Sequence, residues 1–250
     1  MKKINNFILI IFILMLSNIS VFADSGFEAI IDMPIGASFT IPIGKPYIDV
    51  YGNGSIKSGD IIGKINASAG AAVKLGYLFN IYDDMGISAL AEIGYHYNSY
   101  TSTTRIEGNG FDLSDTLTKN VRTHSIKIGL LPKFNKGNFS FGLGFGVKIP
   151  LLAIFSTEDV YLSETAGEYN RKQKIENFGF EDIKNSKVIP VIPYIKLTAD
   201  YSFFFVDNIA FNVGVHINYD FGLQQKDSNF REDAIEFGFQ LGLRFAPMLE

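Results

Sequence analysis

An all-β fold is what this sequence predicts: an eight-stranded antiparallel up-and-down transmembrane β-barrel, with ten strands as the alternative count. Three observations predict it. Apolar and polar side chains alternate with a period of two in eight separate stretches, which is the signature of strands with one greasy and one polar face. The connections between those stretches are alternately short and long. After the N-terminal segment no run of 18 or more apolar residues remains, so no spanning helix is available.

The first residues speak to compartment. Met1-Lys2-Lys3 is a basic start, Phe7–Leu16 an apolar core, and Val21-Phe22-Ala23 a small-residue cleavage site. This three-part plan is that of a secretory signal, and ten apolar residues fall short of the roughly 20 that a spanning helix needs. Residues 1–23 are expected to be cleaved, leaving 24–250 as one barrel domain without a linker or second domain. The chain has no Cys, which excludes a lipoprotein anchor and disulfides. Cleavage takes away Lys2 and Lys3 and no acid, so the formal charge moves from −4 to −6. A mildly acidic chain with no basic block is not expected to bind nucleic acid. The 23 Phe, 12 Tyr and 24 Gly are more than an ordinary soluble domain without matching helices would use.

The strands follow in order, with the apolar face mostly on odd positions. In 27–41, Phe27, Ile31, Met33, Ile35 and Phe39 oppose Glu28, Asp32, Gly36, Ser38 and Thr40. The stretch 65–79 sets Ile65, Ala67, Ala69, Ala71, Val73, Leu75, Tyr77 and Phe79 against Asn66, Ser68, Gly70, Lys74 and Gly76. In 87–97, Ile87, Ala89, Ala91, Ile93, Tyr95 and Tyr97 face away from Ser88, Glu92, Gly94 and His96, with Leu90 breaking the polar set. The stretch 122–134 is the least regular, and its Pro132 is best tolerated near a strand end or edge. Next come 139–149, 189–203 and 209–221, the first alternating Phe139, Phe141, Leu143, Phe145, Val147 and Ile149 with Ser140, three Gly and Lys148. The last stretch, 235–245, places Ile235, Phe237, Phe239, Leu241, Leu243 and Phe245 opposite Glu236, Gly238, Gln240, Gly242 and Arg244.

Residues 80–85, 135–137 and 206–208 read as tight turns. The connections 42–64, 99–120, 152–185 and 222–231 read as long polar loops, and such sorting between two rims is a feature of membrane barrels. Tyr47–Gly52 could pair with part of the third long loop, which is the basis of the ten-strand alternative.

The sense of the barrel follows from charge. A soluble eight-stranded barrel keeps apolar side chains inside. Here the polar faces carry Glu28, Asp32, Glu92, Asp200, Asp220 and Glu236 against Lys74, Lys127, Lys148, Lys196 and Arg244, joined by His96 and His216. These nearly cancelling charges predict a closed, ion-paired lumen, and the Gly on the same faces leave room for long side chains. The opposite faces are too bulky for so small an interior and suit lipid. A one-residue slip would turn several Lys towards hydrocarbon at about 2–4 kcal/mol each near the midplane, which fixes the register.

This signal, strand pattern and loop alternation resemble small bacterial outer-membrane barrels of the OmpX type and the OmpA membrane domain. Gly238–Leu243 with Phe245 resembles the C-terminal signal read by the barrel-assembly machinery, although Ala246–Glu250 follows the last aromatic. The resemblance implies residence in the outer membrane of a diderm bacterium, with outer-membrane lipid and the assembly machinery as partners.

Chemistry is sparse. His96 and His216 read as lumen hydrogen-bond partners. His124 and Ser125 are neighbours on a strand and point to opposite faces, so they cannot pair within it. The His-x-Ser arrangement of outer-membrane lipid A deacylases is absent: the positions read His96-x-Asn98, His124-x-Ile126 and His216-x-Asn218. Glu107, Asn109, Asp112 and Asp115 do not have the spacing of a calcium loop. No catalytic, cofactor-binding or metal-binding residue is assigned, and no cofactor or enzyme activity is expected. The third long loop, with Glu158, Asp159, Glu164, Glu168, Glu176, Glu181 and Asp182, reads either as a mobile hydrophilic cap or as a binding surface. The expected function is a structural or adhesive role at the cell surface, through a host or envelope ligand at the loops. A narrow porin-like channel is the alternative, and a lipid-modifying enzyme a third reading.

Overall fold

In a computed structural model, residues 25–44, 57–107, 114–163, 168–187, 189–224, 226 and 230–249 are described. The expected signal (1–23), the Tyr47–Gly52 pairing, and Asn109 and Asp112 lie outside these residues. Ten strands form one antiparallel sheet: β1 (Gly26–Ile43), β2 (Lys57–Gly63), β3 (Ile65–Tyr82), β4 (Met85–Glu107), β5 (Ser114–Lys136), β6 (Phe139–Ser163), β7 (Glu168–Gly179), β8 (Ile192–Val206), β9 (Ile209–Asp220) and β10 (Arg231–Phe245). A short helix, α1 (Phe180–Ser186), separates β7 from β8.

Eight of the strands close on themselves. Around the ring run β1, β3, β4, β5, β6, β8, β9 and β10, and β10 pairs back onto β1. The other two stand outside it: β2 pairs with the far end of β4 and β7 with the far end of β6. The barrel count is therefore eight, and the extra pair extends the wall above one rim.

Alternation holds strand by strand. Phe141, Phe145, Leu197, Phe237 and Phe239 are all more than half exposed, whereas Glu28, Asp32, Ser140 and Glu236 between such positions are at most 1% exposed. The outside is thus a band of large apolar side chains and the inside is polar, inverting the soluble arrangement. Rings gather at both edges of the band. Phe139, Tyr201 and Phe203 stack at one edge. At the other edge Tyr95 Oη lies 2.6 Å from His124 Nδ1, with the Tyr97 ring beside the same imidazole.

The three tight turns form as expected, with left-handed backbone at Asp83 (φ 38°) and Gly137 (φ 51°). Two of the expected long loops are mostly strand. β4 and β5 stay paired from Met85–Lys136 out to Glu107–Ser114, and β6 runs to Ser163 before β7 returns along it. Glu107 and Asp115 accordingly belong to these strands. Thr101–Thr104 are polar on both faces, with Thr101 hydrogen-bonded to Asn66, Ser102 to Glu232 and Thr103 to Thr118, so no period-two apolar signal marks them.

Prolines sit where the ladder does without them. Pro132 pairs with Ala89 of β4, but the β5–β6 register skips from Leu130–Phe145 to Lys133–Gly142. Likewise β1 pairs Pro34 with Gln240 of β10, while its β3 register jumps from Asp32–Ala72 to Ile35–Ala69. A residue with no N–H can occupy a ring strand only beside such a gap. The residues after the last strand tuck under the short-turn rim: Ala246 N donates to Asn208 O at 3.1 Å, and Ala246 and Leu249 are buried.

Candidate functional site: the ion-paired lumen and its cap

Strand alternation delivers all thirteen predicted lumen residues to the interior, none more than 3% exposed. The sequence reading missed a fourteenth, Lys133, which is 2% exposed. Continuing the β5 alternation through Ile126, Ile128, Leu130, Pro132 and Phe134 would have placed it inside; the irregular neighbourhood of Pro132 hid the signal. With Lys133 the buried lumen holds six acids and six bases among the described residues.

The groups meet in tiers. Nearest the short turns, Arg244 Nε donates to Glu28 Oε1 at 2.8 Å, and its other nitrogens reach Asn135, Ser140 and Ser202. Ser88 donates to the second Glu28 oxygen. Ile30, Leu90 and Leu131 form an apolar cluster beside this tier, which accounts for the break at Leu90. In the middle, Lys74 pairs with Asp32, and Lys133 with Asp200 at 2.7 Å. Glu92 accepts from Lys196 at 2.6 Å, Lys127 at 3.3 Å and the Tyr194 hydroxyl at 3.1 Å. Glycine makes room here: a Cβ at Gly146 would fall 2.9 Å from Tyr194 Oη, and one at Gly129 closer still.

Towards the long-loop rim, Glu236 takes Ser68 Oγ at 2.8 Å, Asn218 Nδ2 at 3.0 Å, and the Nε2 atoms of His96 and His216 at 3.1 and 3.2 Å. Lys148 pairs with Asp220 at 2.7 Å, which also accepts from Asn98 and Tyr100. Both histidines are thus hydrogen-bonded to one carboxylate. His124 lies on the outer face and Ser125 on the inner one, as strand geometry requires. Ser125 is instead the cross-strand register partner of His96, though Ser125 Oγ and His96 Nδ1 are each without a hydrogen-bond partner.

Over the lumen sits a second apolar cluster, Tyr100, Val121, Ala153, Ile183, Ile192 and Ala234, with Phe155, Phe178 and Leu223 against it. Ile183 belongs to α1, within the third expected loop, and is 1% exposed. That segment is therefore not a purely hydrophilic cap: Glu181 and Asp182 face outward while Ile183 seals the mouth. Beneath α1, Lys119 Nζ donates to Glu232 Oε2 at 2.9 Å, and Ser102 Oγ to Glu232 Oε1 at 2.5 Å. Burial, then the neighbouring Lys119, push the Lys187 ammonium down to about 8, with Glu232 opposing.

No family model matches the chain, and no curated protein matches it in sequence. Among solved structures it is similar to Ail, the attachment invasion locus protein of Yersinia pestis, crystallised with the heparin analogue sucrose octasulfate (11% identity, TM-score 0.34, 88% of this chain and 99% of that one). It is also similar to the outer membrane protease OmpT from Escherichia coli (10%, TM-score 0.35, 90% and 97%) and the outer membrane protein OprG from Pseudomonas aeruginosa (10%, TM-score 0.29, 88% and 96%).

Proposed function

We propose that the chain is an outer-membrane protein of a diderm bacterium, anchored by a filled barrel and acting through the surface it raises at its long-loop rim. The observation that carries this reading is the combination of an exposed apolar band with lumen charges that a water-sized sphere barely touches. A lipid-facing exterior needs that band. A conducting lumen would leave its charged lining accessible, whereas the side chains of Lys127 and Lys196 are 4% exposed and those of the other paired lumen groups no more than 2%. The apolar cluster under α1 closes the mouth as well. These features favour a stapled anchor over a narrow channel, as eight-stranded barrels filled by side chains do. The working surface is then the wall built by β2, the outer halves of β4, β5 and β6, and β7, offered to a host or envelope ligand. Outer-membrane lipid surrounds the band, and the barrel-assembly machinery would insert it.

Planar bilayer recording of the refolded protein tests the anchor reading. No steady unitary conductance is expected, and Lys74→Ala or Lys148→Ala should leave any leak unchanged; stable channels of defined size would overturn it. The role is also non-enzymatic. Ser125, His96 and Glu236 share an inner face, but at 1–2% exposure or less they have no route to a substrate. Labelling of Ser125 by a fluorophosphonate in the intact barrel would contradict this. Surface proteolysis in whole cells, cutting within β7 and its flanks but not within the band, checks orientation.

A further inference from the structure

Under α1 the charges do not balance. Lys119 is satisfied by Glu232, and Glu232 is occupied on both oxygens, by Lys119 and Ser102. Lys187 is not satisfied. It is 7% exposed, caps α1 by donating its backbone N–H to Ile183 O at 2.9 Å, and has its ammonium 5.8 Å from the centre of the Phe155 ring. The Lys119 ammonium lies 5.9 Å from the same ring. Among the described residues no oxygen stands within hydrogen-bond or ion-pair reach of the Lys187 ammonium. Two ammonium groups and one carboxylate leave a single excess positive charge beneath α1.

A cavity of about 20 Å³ lies between Lys187, Lys119, Glu232, Phe155, Tyr100 and Leu223. A water-sized occupant needs roughly 10–15 Å³, so one small particle fits and an organic ligand does not. A largely buried ammonium that meets a ring face and a like charge, but no acceptor, carries a desolvation cost that a counter-ion would offset. We infer that this cavity is a binding site for one small monovalent inorganic anion, chloride by size, seated against Lys187 and Lys119 beneath α1. The aliphatic part of the wall, Leu223 among it, suits a weakly hydrated halide better than a strongly hydrated anion. The ion would restore neutrality and latch Ile183 over the lumen. Lys187 ionising at about 8 without a counter-ion agrees with such a demand, since bound halide would raise it.

The site stands independently of what the outer wall recognises. Bromide is the probe. Crystals of the full mature barrel grown in sodium bromide should show an anomalous peak within contact distance of Lys187 Nζ. In solution, at constant ionic strength and pH 7, replacing sodium gluconate with sodium bromide should slow amide exchange across residues 180–187. Near saturation the slowing should reach about tenfold, and Lys187→Met should abolish the bromide dependence while Lys187→Arg keeps it. Absence of the peak at Lys187 in wild-type crystals would overturn the inference, whatever the variants do. An equal bromide response in Lys187→Met would overturn it too, because the effect would then be a general one of the salt.

Discussion

Asp32 and Lys74 meet across β1 and β3 with at most 1% of either side chain exposed. Such a pair contributes little over an apolar couple of the same shape, but removing one partner strands the other in low dielectric at about 3–5 kcal/mol. Lys74→Met should therefore lower the urea midpoint of the refolded barrel sharply, and Asp32→Asn with Lys74→Met should recover most of the loss. A double variant no better than the worse single one would show that the pair is valued for more than mutual neutralisation. The same scale shows what could be read in advance. Each of the predicted lumen charges was legible because one residue of alternation assigns its side; Lys133 needed the pattern to be carried through a proline. Pairings were not legible. Nothing in the order of residues says that Glu92 takes two lysines while Glu236 takes two histidines, since that depends on strand tilt.

Along a strand the decisive quantity is which side faces hydrocarbon. Phe141 and Phe237 are 55% and 53% exposed within the apolar band, and Ile175 of β7 is 57% exposed above it. If that band lies in lipid, Phe141→Lys and Phe237→Lys should each cost about 2–4 kcal/mol, while Ile175→Lys should be close to neutral. Folding into lipid vesicles followed by urea titration measures all three, and equal effects at the three positions would remove the membrane from the account. The band strands were legible for this reason: a strand between oil and ion pairs must alternate. The outer halves of β4, β5 and β6, and β2 and β7, were hidden because polar residues stand on both faces there, satisfied by hydrogen bonds such as Ser102 to Glu232 and Thr101 to Asn66. Runs such as Thr101–Thr104 therefore read as loop although they continue the ladder.

For the molecule as a whole, closure at the long-loop rim hangs on one short helix. Ile183 lies in a segment of Glu, Asp and Lys, so its burial could be found only once β7 had carried it back over the mouth. Lys187 makes this closure responsive to pH. Released to solvent it ionises near its ordinary 10.5, and in the closed state at about 8. Between those values the open form holds more protons, so in halide-free buffer the cap should tighten as pH rises from 8 towards 10.5 and stay unchanged below 8. Exchange protection of residues 180–187, corrected for base catalysis, reports this; a cap that loosens over the same window would contradict the assignment.

The register between β1 and β10 runs unbroken over fifteen pairs, from Ala29–Phe245 to Ile43–Arg231. The ring is thus sewn shut by β1 and β10, the first and last of its described strands. Until β10 is in place, β1 keeps one bare side, an invitation to mispairing with any neighbour. Any chain that stops before residue 231 leaves two such sides, with its greasy belt attached. Truncation from the C-terminal end should therefore abolish the folded form outright instead of trimming it.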